Sequence, residues 1–310
     1  MIGTLYKKVA LSSPWVEIQL RKLYWNNVGL LRKHSTNRTN RVHRSDFVDF
    51  EEIVSFLEKC GIGKGDLVVM HSSYGNLKPT SLDNHGIIKR LLNLVGEEGT
   101  LAAPVIRRFE EEKTLTWSEI MNDGLKDIHC VYDVEKTPVT SGVLGITLMN
   151  HEGSVTSHFP LNPLTAVGRD AQAMMEHNLE HDGQSAHGKG SCWEYCAEHN
   201  AWVIYLGIDF GHHITMQQAF TEAYEENTPP DFYIERRFTI VADGKQRDVV
   251  VKERRRCFTK VLAELNVRKD ILSSGIIKTA MIKDVPVSAF RAKDLLNFYA
   301  QKRKYYPYFI

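Results

Sequence analysis

The sequence predicts an α/β fold, and three observations carry that expectation. Short continuous apolar runs, the pattern of strands buried on both faces, recur at "DLVVM" (66–70), "LAAPVI" (101–106) and "AWVIYLGI" (201–208). Segments with apolar residues at helical spacing precede and separate them, so strands and helices alternate and a largely parallel or mixed sheet covered by helices follows. Further on, "RFTIVADGKQRDVVV" reads as a hairpin turning on Asp243-Gly244, an antiparallel element that favours a mixed sheet over a uniform doubly wound one.

Residues 1–45 differ from the rest. They hold Lys7, Lys8, Arg21, Lys22, Arg32, Lys33, Arg38, Arg41 and Arg44 against a single acid, Glu17. Trp15, Leu20, Tyr24 and Trp25 are interspersed, as in an amphipathic helix. The division expected is therefore a basic helical N-terminal arm over 1–45 and one larger domain over 46–310. The arm would pack on that domain or on a second subunit, which makes a homodimer one partner to test for. Its charges are spread rather than clustered, which argues against a membrane surface or a polyanion.

From Asp46 the helical and strand periods alternate. "DFVDFEEIVSFLEKCGIG" places Phe47, Phe50, Val54 and Leu57 at helical spacing and stops at glycines. "DLVVM" then feeds the loop "HSSYGN". "HGIIKRLLNLVGEEGT" is a second amphipathic helix, stopped at Gly96. The C-terminal "SAFRAKDLLNFYAQKRKYYPYFI" should begin as a helix and finish as an aromatic tail.

Composition excludes several function classes. A formal net charge of +1 over 310 residues is not that of a general nucleic-acid binder. No apolar run reaches the length of about eighteen residues that a membrane-spanning helix needs, and no apolar leader opens the chain, so a cytoplasmic protein is expected. The five cysteines (Cys60, Cys130, Cys192, Cys196, Cys257) are scattered. Only Cys192 and Cys196 are close, and a zinc ribbon would need a second close pair, so buried free thiols are expected and no metal.

Three stretches could carry chemistry. In "VVMHSSYGNL" a strand ends in a loop, the place where ligands bind α/β sheets. Ser72, Ser73 and the flexible Gly75 could offer hydroxyls and backbone N–H groups to an acyl carbonyl or a phosphate. The stretch lacks the glycine patterns of ATP and NAD sites. "GIDFGHHITMQQAFTEAYEE" (207–226) carries Asp209, His212 and His213 on a loop before a helix bearing Gln218 and Glu222. "TSHFPLNPLTAVG" (156–168) is too broken by prolines for a helix and holds His158. The sequence has no GxSxG elbow, so hydrolase chemistry is poorly supported.

Taken in order, these stretches resemble the aminoglycoside 3-N-acetyltransferase family, which transfers acyl groups from coenzyme A to amines of aminoglycosides or of nucleotide-linked amino sugars. The likeness covers about residues 48 to 300. It rests on "GIGKGDLVVMHSSYGNL", "HGIIKRLLNLVGEEGTLAAPVI", "TPVTSGVLGITLMNHEGSVTSHFPLNPLTAVG", "HGKGSCWEYCAEHNAWVIYLGI" and "TPPDFYIERRF". The resemblance implies a three-layer α/β/α core with a mixed sheet and a small helical subdomain. It implies acyl-CoA bound beside His71, Ser72, Ser73 and the adjoining Tyr74, with Ser141 a further neighbour at the start of the helix after "TPVT". Asp209 and His213 are then candidates to touch an amino-sugar acceptor, and Glu222 falls near the family's acid.

The implied reaction is direct attack of an amine on the thioester. An ammonium must first lose a proton, for which an imidazole is suited. The family's histidine directly precedes proline, and here that slot holds Phe159 with His158 one place earlier. His158 is the candidate base; His71, His212, His213 or no side-chain base are the alternatives. The acceptor expected is a nucleotide-linked amino sugar of surface polysaccharide biosynthesis, because the motif loops are not rich in the acids a polycation would favour. An aminoglycoside acceptor, a non-catalytic CoA-binding relative and a cysteine or metal hydrolase are the competing readings.

Overall fold

The computed structural model describes residues 2–27, 47–77, 80–210, 215–222 and 228–302. In chain order the elements before the first interruption of the core are α1 (Ile2–Ala10), α2 (Pro14–Asn26), α3 (Phe50–Cys60), β1 (Leu67–Ser72), α4 (Tyr74–Leu77), α5 (Asn84–Val95) and β2 (Thr100–Pro104). There follow α6 (Trp117–Met121), β3 (His129–Asp133), α7 (Val143–Met149), β4 (Val155–Thr156), β5 (Leu164–Gly168), α8 (Ala171–Glu176), α9 (Cys192–Glu198) and β6 (Trp202–Leu206). The chain ends with α10 (Thr215–Glu222), β7 (Tyr233–Ala242), β8 (Lys245–Arg254), α11 (Glu264–Ser274), β9 (Lys278–Ile282), β10 (Val285–Arg291) and α12 (Ala292–Lys302).

Seven strands form one mixed sheet in the order β4-β5-β2-β1-β6-β10-β9. β1 sits centrally, parallel to β2 and to β6, with Val69 opposite Ala102 and Met70 opposite Ile204. β5 and β10 close the parallel centre with antiparallel neighbours. Alternation along β1 splits the core by face. Val68 and Met70 join α3, α5 and α7 in one apolar cluster, whereas Leu67 and Val69 join α8 to α12 in another. Two helical layers therefore bury the two sides of the sheet, which is the three-layer α/β/α core expected.

Local chemistry explains where the helices begin and end. Asp49 caps α3 by accepting from the Glu51 N–H, and Gly61, at φ 104°, ends it in the left-handed region. Phe47 was expected on that helix's apolar face; it lies before the cap and is exposed, while Phe50, Val54 and Leu57 are buried. Asp83 caps α5 in the same way, and Gly96 stops it.

The hairpin is longer than its sequence signature and belongs elsewhere than the main sheet. β7 and β8 pair along their whole lengths around Asp243 and Gly244, both at positive φ. β3 adds to β7 in parallel, giving a second, three-stranded sheet. The main sheet is mixed because of β4, β5, β9 and β10 instead. The smaller unit thus combines the expected short helical pieces, α6 and the 3₁₀ turn Gly124–Asp127, with a sheet built over Phe109, Tyr132, Phe238 and Val251.

The arm through Asn27 lies on α11. Glu17, fully buried, accepts from the Leu265 and Asn266 backbone N–H groups and from Asn266 Nδ2, at 2.7, 3.0 and 2.7 Å. Its carboxylate therefore satisfies the orphan donors at a helix start. Arg21 pairs with Glu264 beside it at 2.8 Å.

Candidate active site

The end of β1 delivers His71, Ser72 and Ser73 to a cavity of about 590 Å³, which Tyr74, Pro104, Ile106, Ser141 and Gly142 also line. Backbone contacts fix this loop. Ser73 N–H donates to Leu206 O at 2.9 Å, and Asn76 Nδ2 donates to Gly207 O at 2.7 Å. Gly207 has φ +71°, and a Cβ there would stand 3.0 Å from Ser73 O, so the close approach of the two strand ends requires glycine. The Ser72 and Ser73 hydroxyls have no hydrogen-bond partner among the described residues, which leaves them free to donate into the cavity. Ser141 is committed differently. Its hydroxyl donates to Pro104 O at 2.6 Å and accepts from Ile106 N–H at 2.9 Å, so it builds the wall. It also stands before α7, which begins at Val143 with Gly142 as its cap, so it does not start that helix.

Ile106 also lines a smaller cavity of about 180 Å³. The loop "TSHFPLNPLTAVG" supplies its wall through Pro160, Leu161 and Asn162. Ser157, fully buried, anchors that loop: it donates to Asn178 Oδ1 at 2.8 Å and accepts from Phe159 N–H at 3.1 Å. Phe159 is buried in the cluster with Phe109, Tyr132 and Phe238. His158 is exposed and lines neither cavity. The physical reason is that the buried Ser157 hydroxyl takes the Phe159 N–H and the Phe159 ring joins the apolar cluster, which leaves the preceding side chain outside.

Glu222 does line the smaller cavity, and its partner is a histidine that no spacing in the sequence singled out. His187 is 1% exposed, and its Nδ1 lies 3.3 Å from Glu222 Oε1 while its backbone N–H donates to Glu222 Oε2 at 3.4 Å. Burial pushes the Glu222 carboxyl up, but His187, Ser185 and the Arg254 guanidinium outweigh this and hold it below the usual carboxylate range. An ionised carboxylate only accepts, so Nδ1 carries the proton and donates. Nε2 is then the basic nitrogen, and it is buried with no hydrogen-bond partner among the described residues. Trp193 stands between the two histidines, its ring 6.1 Å from His71 and 5.4 Å from His187, and is held by donating Nε1–H to Asn162 O at 2.9 Å.

Much of the remaining lining is charged, and Arg236 behind it holds two of the lining acids. Arg107 is 6% exposed and donates to the carbonyls of Thr137 and Val134 at 2.7 and 2.9 Å, with its face over the Tyr132 ring. Arg236, fully buried, bridges Glu112 and Glu253, and Arg256 adds a second contact to Glu253 at 2.6 Å. The local signal at His187 was the pair of glycines in "SAHGKGS"; a Cβ at Gly188 would press on the Ser185 hydroxyl and stand 3.3 Å from Glu222 O. Glu222, 35 residues further on, was expected near the family's acid, but nothing local paired it with His187.

Other expected site residues lie apart. Asp209 is exposed, paired with Arg268, and lines neither cavity. His212 and His213 lie outside the described residues. Cys192 and Cys196 are buried, and burial pushes the Cys192 thiol up to about 12, far from a nucleophile's range. Among the described residues no group of three metal-ligating side chains is assembled, and no helix is long and apolar enough to cross a membrane.

Comparison with known proteins matches this architecture. Aminoglycoside N(3)-acetyltransferase IX of Micromonospora chalcea is 24% identical over 254 residues, covering 78% of this chain and 88% of that protein. The fold matches the crystal structure of aminoglycoside acetyltransferase AAC(3)-Xa with a TM-score of 0.65 at 19% identity, over 82% of this chain and 92% of that one. It also matches AAC-IIIb in a binary complex with CoASH, with a TM-score of 0.64 at 16% identity, over 84% and 98% of the two chains. A family profile described as aminoglycoside 3-N-acetyltransferase matches residues 69–303. That span is well over half of the sequence, so the chain belongs to the aminoglycoside 3-N-acetyltransferase family, a family of acyl-CoA-dependent N-acyltransferases.

Proposed function

We propose that the protein acetylates an amine of an aminoglycoside with acetyl-CoA, by direct attack on the thioester. The observation that carries this reading is that Ile106 lines two cavities, one bordered by serine hydroxyls without a partner among the described residues and one by a buried imidazole–carboxylate pair. Family membership and the name of the Micromonospora chalcea relative support the acceptor class.

In this reading His71, Ser72, Ser73 and Tyr74 border the acyl-CoA, and Ser141 shapes its wall. On this reading the Ser72 and Ser73 hydroxyls donate to the carbonyl oxygen as negative charge develops on it, whereas the Ser73 N–H is already used by Leu206. The amine enters the smaller cavity and attacks the carbonyl carbon; an N–C bond forms and the C–S bond breaks. CoA leaves as a thiolate of a thiol with ordinary pKa of about 8.5, so it needs little acid help. Most of the acceleration then comes from positioning and charge stabilisation, which can exceed the share of any single base.

One observation favours a second reading. The smaller cavity's described lining sets Arg107, Lys252, Arg254 and Arg256 against Glu112, Glu222 and Glu253. That balance suits an amino sugar bearing a phosphate, such as a nucleotide-linked one, better than a polycation. The names of the relatives give this second reading no support.

The deciding experiment mixes purified protein with acetyl-CoA and separate panels of aminoglycosides and nucleotide-linked amino sugars, and reads released thiol. Release with the first panel is expected. Release with the second panel alone would select the second reading, and release with neither would sink both.

A further inference from the structure

We propose that His187 is the general base that removes the proton from the attacking amine, and that Glu222 is the positioning residue that orients its ring. The inference rests on the acyltransferase reading above. It departs from what the loop histidine suggested, because that loop turns Phe159 into the apolar cluster and His158 to solvent.

Four observations carry it. His187 is the only histidine lining the smaller cavity among the described residues. Its Nδ1 is held by a carboxylate that also takes its backbone N–H, so both ring and main chain are fixed by one group. Its Nε2 keeps a lone pair with no partner among the described residues. That nitrogen belongs to a side chain lining the cavity, so a ligand there can supply the hydrogen bond whose absence is otherwise costly. Trp193, held by Asn162, packs beside the imidazole with ring centroids 5.4 Å apart.

The step balances without a further reactant. The amine nitrogen bonds to the thioester carbon, and the carbonyl pair moves onto oxygen. Nε2 takes the proton that the nitrogen sheds, making an imidazolium that the Glu222 carboxylate stabilises. Collapse of the tetrahedral centre expels the CoA thiolate, which recovers a proton from the imidazolium or from water. His187 returns to its starting form.

The test compares His187→Ala and His187→Gln with wild type and with His158→Ala, using acetyl-CoA and whichever acceptor wild type turns over. CoA affinity of each variant is measured by calorimetry. His187→Ala should lose about 10²- to 10⁴-fold in kcat, with CoA Kd within about threefold of wild type. Added imidazole should restore at least about tenfold, which a structural role would not allow. Should only His187→Ala fail to bind CoA, the same loss in His187→Gln carries the test. The proposal is overturned if kcat stays within about fivefold of wild type, if imidazole recovers nothing in a CoA-binding His187→Ala, or if both variants lose CoA binding. Absence of thiol release by wild type would instead defeat the acyltransferase reading, and the two failures are thus distinct.

Discussion

His158 and Phe159 are neighbours on the loop after β4, and the backbone sends them in opposite directions. Phe159 fills space beside Phe109, Tyr132 and Phe238, while His158 meets solvent. Truncating the two should therefore separate function from stability. His158→Ala should leave kcat within about twofold of wild type. Phe159→Ala should cost about 3–5 kcal/mol of stability, read by denaturant unfolding, because it opens a cavity among aromatic rings. An equal loss of stability in both variants would mean that the loop is seated differently. A single residue's identity said little here; the face on which it landed decided its role.

At the scale of elements, the arm and its host helix offer the sharpest test. Glu17 is the one acid in a basic segment, and its carboxylate is buried against the first turn of α11. Glu17→Ala would leave the Leu265 and Asn266 donors unsatisfied and also strand Asn266 Nδ2. A loss of at least about 1–3 kcal/mol is expected in urea unfolding, since a buried donor without its acceptor costs its full desolvation. Full wild-type stability in Glu17→Ala would show that the arm is not docked through this contact. The sequence made the helical character of this arm legible through its apolar spacing. It marked Glu17 only as an oddity, because the partner lies about 250 residues away.

The whole molecule brings Glu222 from the end of α10 to His187 before α9, where Ser185 bridges to Lys252 of β8. Because the folded-state Glu222 is held below its usual range, its ionised form adds stability above the unfolded pKa of about 4.3. That contribution is lost as pH falls from there through the folded value. Glu222→Gln should therefore flatten the acid limb of the stability curve below about pH 4.3 while changing its neutral part through the lost contact. Thermal unfolding followed from neutral pH down to about pH 3 reads this directly. An unchanged acid slope would mean that the His187–Glu222 pair is not formed in solution.

Sequence alone determined the alternation of buried strands and amphipathic helices, the caps at Gly61 and Gly96, the Asp243-Gly244 turn and the "HSS" loop at a strand end. These features depend on propensities and periods that span only a few residues, so they are written locally. Tertiary structure decided that the hairpin joins β3 rather than the main sheet, and that Phe159 faces inward. It also decided that His187 and Glu222 share one cavity wall. Those outcomes depend on where distant segments meet after the chain reverses direction, and burial and electrostatics act only once that meeting has occurred.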